Sequence, residues 1–199
     1  MSQLSFFSAG ARDPQIHDLD GLLAGTGQVV RRDDTARISV VVARARVAAL
    51  VAELSVVGVT AEVQAADPGD RRSEGVTVRT PWLAELLPSA DAWTQGAVKI
   101  PPAGWTLDGP RLRWWCLADG TVAASMYTLS LGVNDEPAWP AVGAALAAAA
   151  IPGLLVGPRA DGPAYRIVGR RRLARLRELV GEPPPEVPPE GWPPRLSPP

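Results

Sequence analysis

The sequence of 199 residues predicts an α+β fold of two pseudo-symmetric repeats, each with the element order α-β-β-α-β-β-α and an antiparallel sheet. Two observations support this prediction. First, two short apolar segments, Leu19–Gly27 (LDGLLAGTG) and Leu112–Gly120 (LRWWCLADG), align without a gap, and both end in a small residue, a polar residue and a glycine. Second, the hydrophobic periodicity after each segment alternates between strand and helix spacing in the same order.

The first repeat is predicted over residues 17–88, after an N-terminal arm at 1–16. Asp18 is suited to cap its first helix, which Gly25 and Gly27 would end. Pro81 suits the first turn of its last helix. The predicted elements, in order, are a helix over 19–25, strands over 28–31 and 37–43, a helix over 45–57, strands over 60–65 and 75–80, and the helix that Pro81 begins.

A linker over residues 89–110, rich in proline and glycine, precedes the second repeat at 111–181. The predicted elements of this repeat are a helix over 112–118, strands over 121–124 and 126–131, an alanine-rich helix over 137–151, strands over 153–156 and 164–168, and a helix over 170–180. The tail, residues 182–199, is half proline and is predicted to be extended and disordered. An alternative is that the tail binds a protein partner.

Composition excludes several classes of function. The formal net charge is −1, so no global charge directs the chain to nucleic acid or to a membrane surface. Cys116 is the only cysteine, which excludes an intramolecular disulfide and a cysteine-rich metal site. The longest apolar run is too short to span a membrane, and the first ten residues do not form a signal peptide. We therefore expect a cytoplasmic protein without a cofactor.

The two aligned segments and the order of elements after them resemble the LAGLIDADG fold, found in homing endonucleases and in the bacterial regulator WhiA. The resemblance covers residues 17–181, and the closing sequence RIVGRRRLARLRELVG is similar to the WhiA-type domain. The residues that match the nine-letter signature are Leu19, Gly21, Leu22 and Gly27 in the first segment and Leu112, Ala118, Asp119 and Gly120 in the second.

This resemblance implies two signature helices packed side by side, each ending in an acid that holds a divalent metal over the scissile phosphates. It also implies a saddle of eight strands that lies on the DNA major groove. Here Asp119 takes the second acid position, but Thr26 takes the first. A single carboxylate is a poor site for a metal that prefers several anionic oxygens. We therefore expect no catalytic residue and no metal, and a structural role for Asp119.

The alternation of side chains along the strands predicts which residues lie on the face of each sheet that is turned away from the helices. This face is predicted to be polar and mildly basic, with no obvious acid. Such a surface suits contacts to phosphates, although a plain solvent-exposed sheet has the same composition. The predicted nucleic-acid-binding residues of the two sheets are Arg37, Ser39, Arg79, Thr128, Ser130 and Arg166.

The last predicted helix carries the densest cluster of basic residues. Its arginines flank a leucine face, so they form either a solvated surface or a second site for phosphate or an acidic partner. The candidates are Arg170, Arg171, Arg172 and Arg175.

Three hypotheses about function follow. The first is a non-catalytic regulatory factor that binds double-stranded DNA. The second is a protein-interaction scaffold that kept the fold without binding DNA, and the third is a residual metal-dependent nuclease.

Overall fold

A computed structural model describes residues 8–65, 75–157 and 162–196. The first seven residues of the predicted N-terminal arm therefore lie outside the described residues, as does the end of the tail at 197–199. Within the described ranges, no helix is long and apolar enough to cross a membrane.

The described residues of the first half form three α-helices and one four-stranded sheet. A 3₁₀ turn, Ile16–Leu19, leads directly into the first helix. The elements are α1 (Asp20–Ala24), β1 (Gln28–Arg32), β2 (Thr35–Ala43), α2 (Val47–Val56), β3 (Glu62–Ala65), β4 (Gly75–Arg79) and α3 (Leu87–Trp93). The strand order in the sheet is β1-β2-β4-β3, and all neighbours are antiparallel.

The second half repeats this arrangement. Its elements are α4 (Gly109–Asp119), β7 (Gly120–Ala123), β8 (Met126–Ser130), α5 (Trp139–Ala148), β9 (Leu154–Val156), β10 (Ala164–Val168) and α6 (Arg170–Val180). The strand order is β7-β8-β10-β9, again antiparallel throughout. Each half therefore has the predicted order α-β-β-α-β-β-α, and the two sheets have equivalent topologies.

The segment predicted as a linker is more regular than its proline content suggested. It holds the end of α3 and a short hairpin formed by β5 (Thr94–Gln95) and β6 (Val98–Lys99). It also contains the start of α4. The Asp108 side chain caps that helix by accepting a hydrogen bond from the backbone amide of Arg111. The linker thus positions Lys99 and the first turn of α4.

The signature helices α1 and α4 pack side by side at the centre of the molecule, in a contact that we call the seam. Gly21 allows this packing, because a Cβ there would overlap the backbone of Arg111. Trp114 stands at the position of α4 that aligns with Gly21, and its ring is buried without separating the helices. At this level of the seam, the close approach therefore depends on Gly21 and not on a small residue of α4.

The prediction of a disordered tail is wrong for residues 182–196. Trp192 is only 3% exposed, and its ring nitrogen donates a hydrogen bond to the carbonyl of Gly181 over 3.0 Å. The Tyr127 hydroxyl donates to the carbonyl of Gly191, also over 3.0 Å. Prolines prevent regular backbone pairing, but they do not prevent the burial of a large aromatic side chain.

Candidate nucleic-acid interface and signature-helix seam

The ends of the two signature helices are joined by a direct bond between the residues at the two acid positions. The backbone amide of Thr26 donates to Asp119 Oδ2 over 3.0 Å, and the Thr26 hydroxyl donates to Asp119 Oδ1 over 2.7 Å. Both oxygens of the carboxylate are therefore engaged by one residue of the opposite half. Asp119 thereby links the ends of the two signature helices.

Gly25 makes this bond sterically possible. A Cβ at Gly25 would overlap the Asp119 carboxylate and the Trp115 ring. The first segment therefore needs a residue without a side chain directly before Thr26, because the Asp119 carboxylate approaches there.

Burial changes the acidity of Asp119. Desolvation raises its pKa to about 6, although the two hydrogen bonds from Thr26 act in the opposite direction. The positive charges of Lys99 and Arg46 also favour the ionised form, to a smaller extent. Asp119 is therefore ionised at neutral pH but protonates more easily than an exposed aspartate.

A buried ammonium group lies at the end of α1. Lys99 Nζ donates hydrogen bonds to the carbonyls of Gly25 and Gly27, each over 2.8 Å, and forms a 2.6 Å ion pair with Asp135. The Gln28 side chain donates to the same Asp135 carboxylate over 3.0 Å. Desolvation lowers the pKa of Lys99, and the hydrogen bond and charge of Asp135 oppose that shift.

A buried guanidinium group lies at the end of α4. Arg46, which precedes α2, donates to the carbonyl of Leu117 over 2.9 Å and to that of Cys116 over 3.2 Å. It also donates to the carbonyl of Gly120. The last carbonyls of a helix have no partner within the helix and carry partial negative charge, which a cation satisfies.

Sequence reasoning missed both of these buried cations. Lys99 is the only lysine in the chain, and this rarity is the one sequence signal that could have singled it out. No comparable signal distinguishes Arg46 from the other arginines.

The residues at the seam do not fit a divalent metal. Thr26 offers no charge, and Asp119 has both oxygens bonded to Thr26. The ammonium of Lys99 covers the two neighbouring carbonyls and would repel a second cation. Across the described part of the chain, no three metal-binding acidic, histidine or cysteine side chains cluster together.

The first sheet places its predicted residues on one face, which we call its open face because the opposite face is buried. Arg37, Ser39 and Arg79 are all partly exposed there, while Ile38 and Val40 point into the core. Ser39 and Arg79 are direct partners between β2 and β4. The alternation predicted from the sequence is therefore present.

An acid also lies on this open face, contrary to the prediction that it carries none. Glu62 pairs with Arg79 in the strand register and forms a 3.0 Å ion pair with Arg37. The guanidinium groups of Arg32 and Arg37 lie 4.3 Å and 4.7 Å from the centre of the Trp82 ring. The open face of the first sheet thus combines arginines and Trp82 with the exposed side chains of Val30 and Val41, and Glu62 partly offsets its positive charge.

The second sheet has a different open face. Thr128, Ser130 and Arg166 lie on it as predicted, and Thr128 and Arg166 are direct partners. Leu154, which pairs with Arg166, is 69% exposed, and Val168 is 43% exposed. This open face is therefore more apolar than the sequence suggested, because the aliphatic residues of β9 and β10 were not assigned to it.

The arginines of α6 lie on the helix that packs against α4. Arg170, Arg171 and Arg172 are exposed in its first turn, and Arg175 forms a 2.9 Å ion pair with Glu178. Positive side chains at a helix N-terminus are unfavourable for the helix dipole. These four predicted residues therefore lie on α6 and not on a strand.

Comparisons with known proteins identify the fold. No family model matches the chain, and no curated protein matches it. A matching solved structure is the homing endonuclease I-WcaI bound to its DNA recognition sequence, with a TM-score of 0.56 and 12% sequence identity, covering 90% of this chain and 83% of that chain. The chain has an α+β, LAGLIDADG-like fold. The comparison supports this part of the resemblance and does not extend to WhiA.

Proposed function

We propose that this protein, whose fold is LAGLIDADG-like, binds double-stranded DNA through the open face of its first sheet without cleaving it. The observation that supports the proposal best is the placement of Arg37, Ser39 and Arg79 on one partly exposed strand face. Guanidinium and hydroxyl groups are donors that bind phosphate oxygens. The matching homing endonuclease was solved with DNA bound, which is consistent with such a use of this fold.

The proposed lack of cleavage is supported by the seam. A nuclease of this fold would need two acids to hold its metal, and Thr26 instead donates two hydrogen bonds to the one remaining acid. A protein that binds DNA and leaves it intact is suited to a regulatory role. We therefore propose a DNA-binding regulatory factor.

A salt-titrated binding assay with matched charge reversals tests this proposal. The test variant is Arg37→Glu with Arg79→Glu, and the control is Arg171→Glu with Arg172→Glu, which changes the net charge equally on α6. We expect the test variant to bind a duplex more weakly and to reduce the slope of log K against log salt by about 2, roughly one unit for each lost phosphate contact. The control should bind as the unmodified protein does.

Three outcomes would contradict the proposal. Absence of binding to any duplex at low ionic strength would refute DNA binding. Loss of binding in the α6 control alone would place the site on α6 rather than on the sheet. Magnesium-dependent cleavage that Asp119→Asn abolishes would refute the non-catalytic part.

The second sheet favours a different candidate function, a protein-interaction scaffold. Leu154 and Val168 are exposed aliphatic side chains on its open face, and such residues are typical of protein-binding surfaces when they are contiguous. A stable protein partner that is retained after nuclease treatment, and lost in Leu154→Asp with Val168→Asp, would favour this candidate. The same double substitution should leave DNA binding by the first sheet unchanged.

A further inference from the structure

We propose that Lys99 and Arg46 act as internal cations that close the ends of the two signature helices, and that Lys99 occupies the place of a bound ion at the seam. The protein would then hold its two halves together without a metal and would exclude one. This inference does not depend on whether the open face binds DNA.

The contacts of Lys99 resemble those of a small cation more than those of a surface lysine. Its three ammonium protons can be matched to three oxygen acceptors, the carbonyls of Gly25 and Gly27 and the carboxylate of Asp135. The side chain is only 5% exposed, so these acceptors replace its hydration. A lysine that loses its water in this way must be paired, and Asp135 supplies the counter-charge.

Arg46 makes the equivalent contact at the other helix. In the ungapped alignment of the two signature segments, Gly27 corresponds to Gly120. The carbonyl of Gly27 accepts from Lys99, and the carbonyl of Gly120 accepts from Arg46. The two cations come from unrelated elements, the β5–β6 hairpin and the turn before α2, yet each binds the carbonyl of the glycine that closes its signature segment.

The acceptors around Lys99 would suit a divalent ion if the ammonium were removed. Two backbone carbonyls and the Asp135 carboxylate are hard oxygen ligands, and Asp119 lies within electrostatic range of Lys99. Hard divalent cations prefer such oxygen ligands. Truncation of Lys99 should therefore convert a site that excludes metal into one that accepts it.

The test uses Mn²⁺ as the probe, with binding measured by calorimetry and by the Mn²⁺ dependence of thermal unfolding. We expect Lys99→Ala to bind Mn²⁺ at least about tenfold more tightly than the unmodified chain. The control is Lys99→Ala combined with Asp135→Asn, which removes one charged ligand and should return the affinity to the level of the unmodified chain. The proposal would be overturned if the unmodified chain and Lys99→Ala bound Mn²⁺ equally tightly, or if neither protein bound it.

A second measurement decides the matter if Lys99→Ala does not fold. Lys99 is the only lysine, so mass spectrometry of the proteolytic peptide that contains it follows the reductive methylation of this one side chain separately from that of the α-amino group. We expect Lys99 in the folded protein to react at least about 100-fold more slowly than in urea, because reaction requires the seam to open. Equal rates in both states would show that the ammonium is not held by its acceptors, and would overturn the proposal.

Neither experiment depends on DNA. Failure of the DNA-binding assay would leave this inference intact, and a Lys99 that is freely reactive would leave the proposed function intact.

Discussion

At the scale of single residues, the seam depends on two glycines, one within α1 and one directly after it. Gly21 and Gly25 have no side chains where the backbone of Arg111 and the carboxylate of Asp119 approach. This absence brings the Asp119 oxygens within hydrogen-bond distance of Thr26, whose amide and hydroxyl satisfy them. The pair joins the two halves by charge-assisted hydrogen bonds, which are stronger than hydrogen bonds between neutral groups.

The raised pKa of Asp119 predicts a pH-dependent contribution to stability. Between about pH 4 and about pH 6, the folded protein keeps a proton that the unfolded chain releases, because the pKa rises from 3.8 to about 6 on folding. Stability from this residue is therefore greatest below pH 4 and decreases as the pH rises towards 6, by up to about 3 kcal/mol.

The measurement is the free energy of unfolding in urea from pH 4 to pH 7, for the unmodified protein and for Asp119→Asn. We expect the unmodified protein to lose stability relative to the variant as the pH rises through this window, and the difference to be constant above it. Parallel curves from pH 4 to pH 6 would show that burial does not perturb Asp119.

Sequence reasoning predicted only part of this site. The ungapped alignment placed Thr26 opposite Asp119, because the glycine-terminated segments have a fixed length. The contacts of Lys99 and Arg46 could not be predicted, since the hydrogen bonds from Lys99 to Gly25 and Gly27, and from Arg46 to Leu117 and Gly120, each join residues more than 70 positions apart. Nothing in local periodicity specifies which distant cation reaches a helix end.

At the scale of elements, the strands were predictable and the packing of the tail was not. The period of two in β2 and β4 correctly assigned their inner and outer residues, because one face of each sheet is covered. Glu62 was not assigned to the open face because it lies on β3, whereas its ion-pair partner Arg37 lies on β2. Only the strand order shows that these two residues are close. The tail was misjudged from its prolines, although Trp192 offered a large surface for burial.

The packed tail predicts a large effect of a single substitution. Trp192→Ala should lower the free energy of unfolding by about 3–5 kcal/mol, because it leaves a cavity and removes the bond to Gly181. The matched control is Glu190→Ala, an exposed position two residues earlier in the same segment, which should change stability by less than about 0.5 kcal/mol.

Chemical denaturation followed by far-ultraviolet circular dichroism measures both variants. A Trp192→Ala protein as stable as the control would show that the tail does not contribute to the fold.

At the scale of the whole molecule, the two halves share a topology but differ in their surfaces. Both open faces expose aliphatic side chains, but that of the first sheet also carries Arg32 and Arg37 against Trp82, whereas that of the second carries Arg166. The halves are nevertheless joined through one core, because α1 packs on α4 and Arg46 of the first half binds the end of α4. A shared core of this kind predicts a single cooperative unit rather than two independent domains.

Two matched core truncations test this cooperativity. Leu50 in α2 and Leu146 in α5 are both fully buried, one in each half. Each substitution to alanine should cost about 2–5 kcal/mol and should shift one common unfolding transition. In two independent domains, by contrast, each substitution would shift only the transition of its own half. Calorimetry of the full chain measures this directly, and a Leu50→Ala protein that retains an unshifted second transition would contradict the prediction.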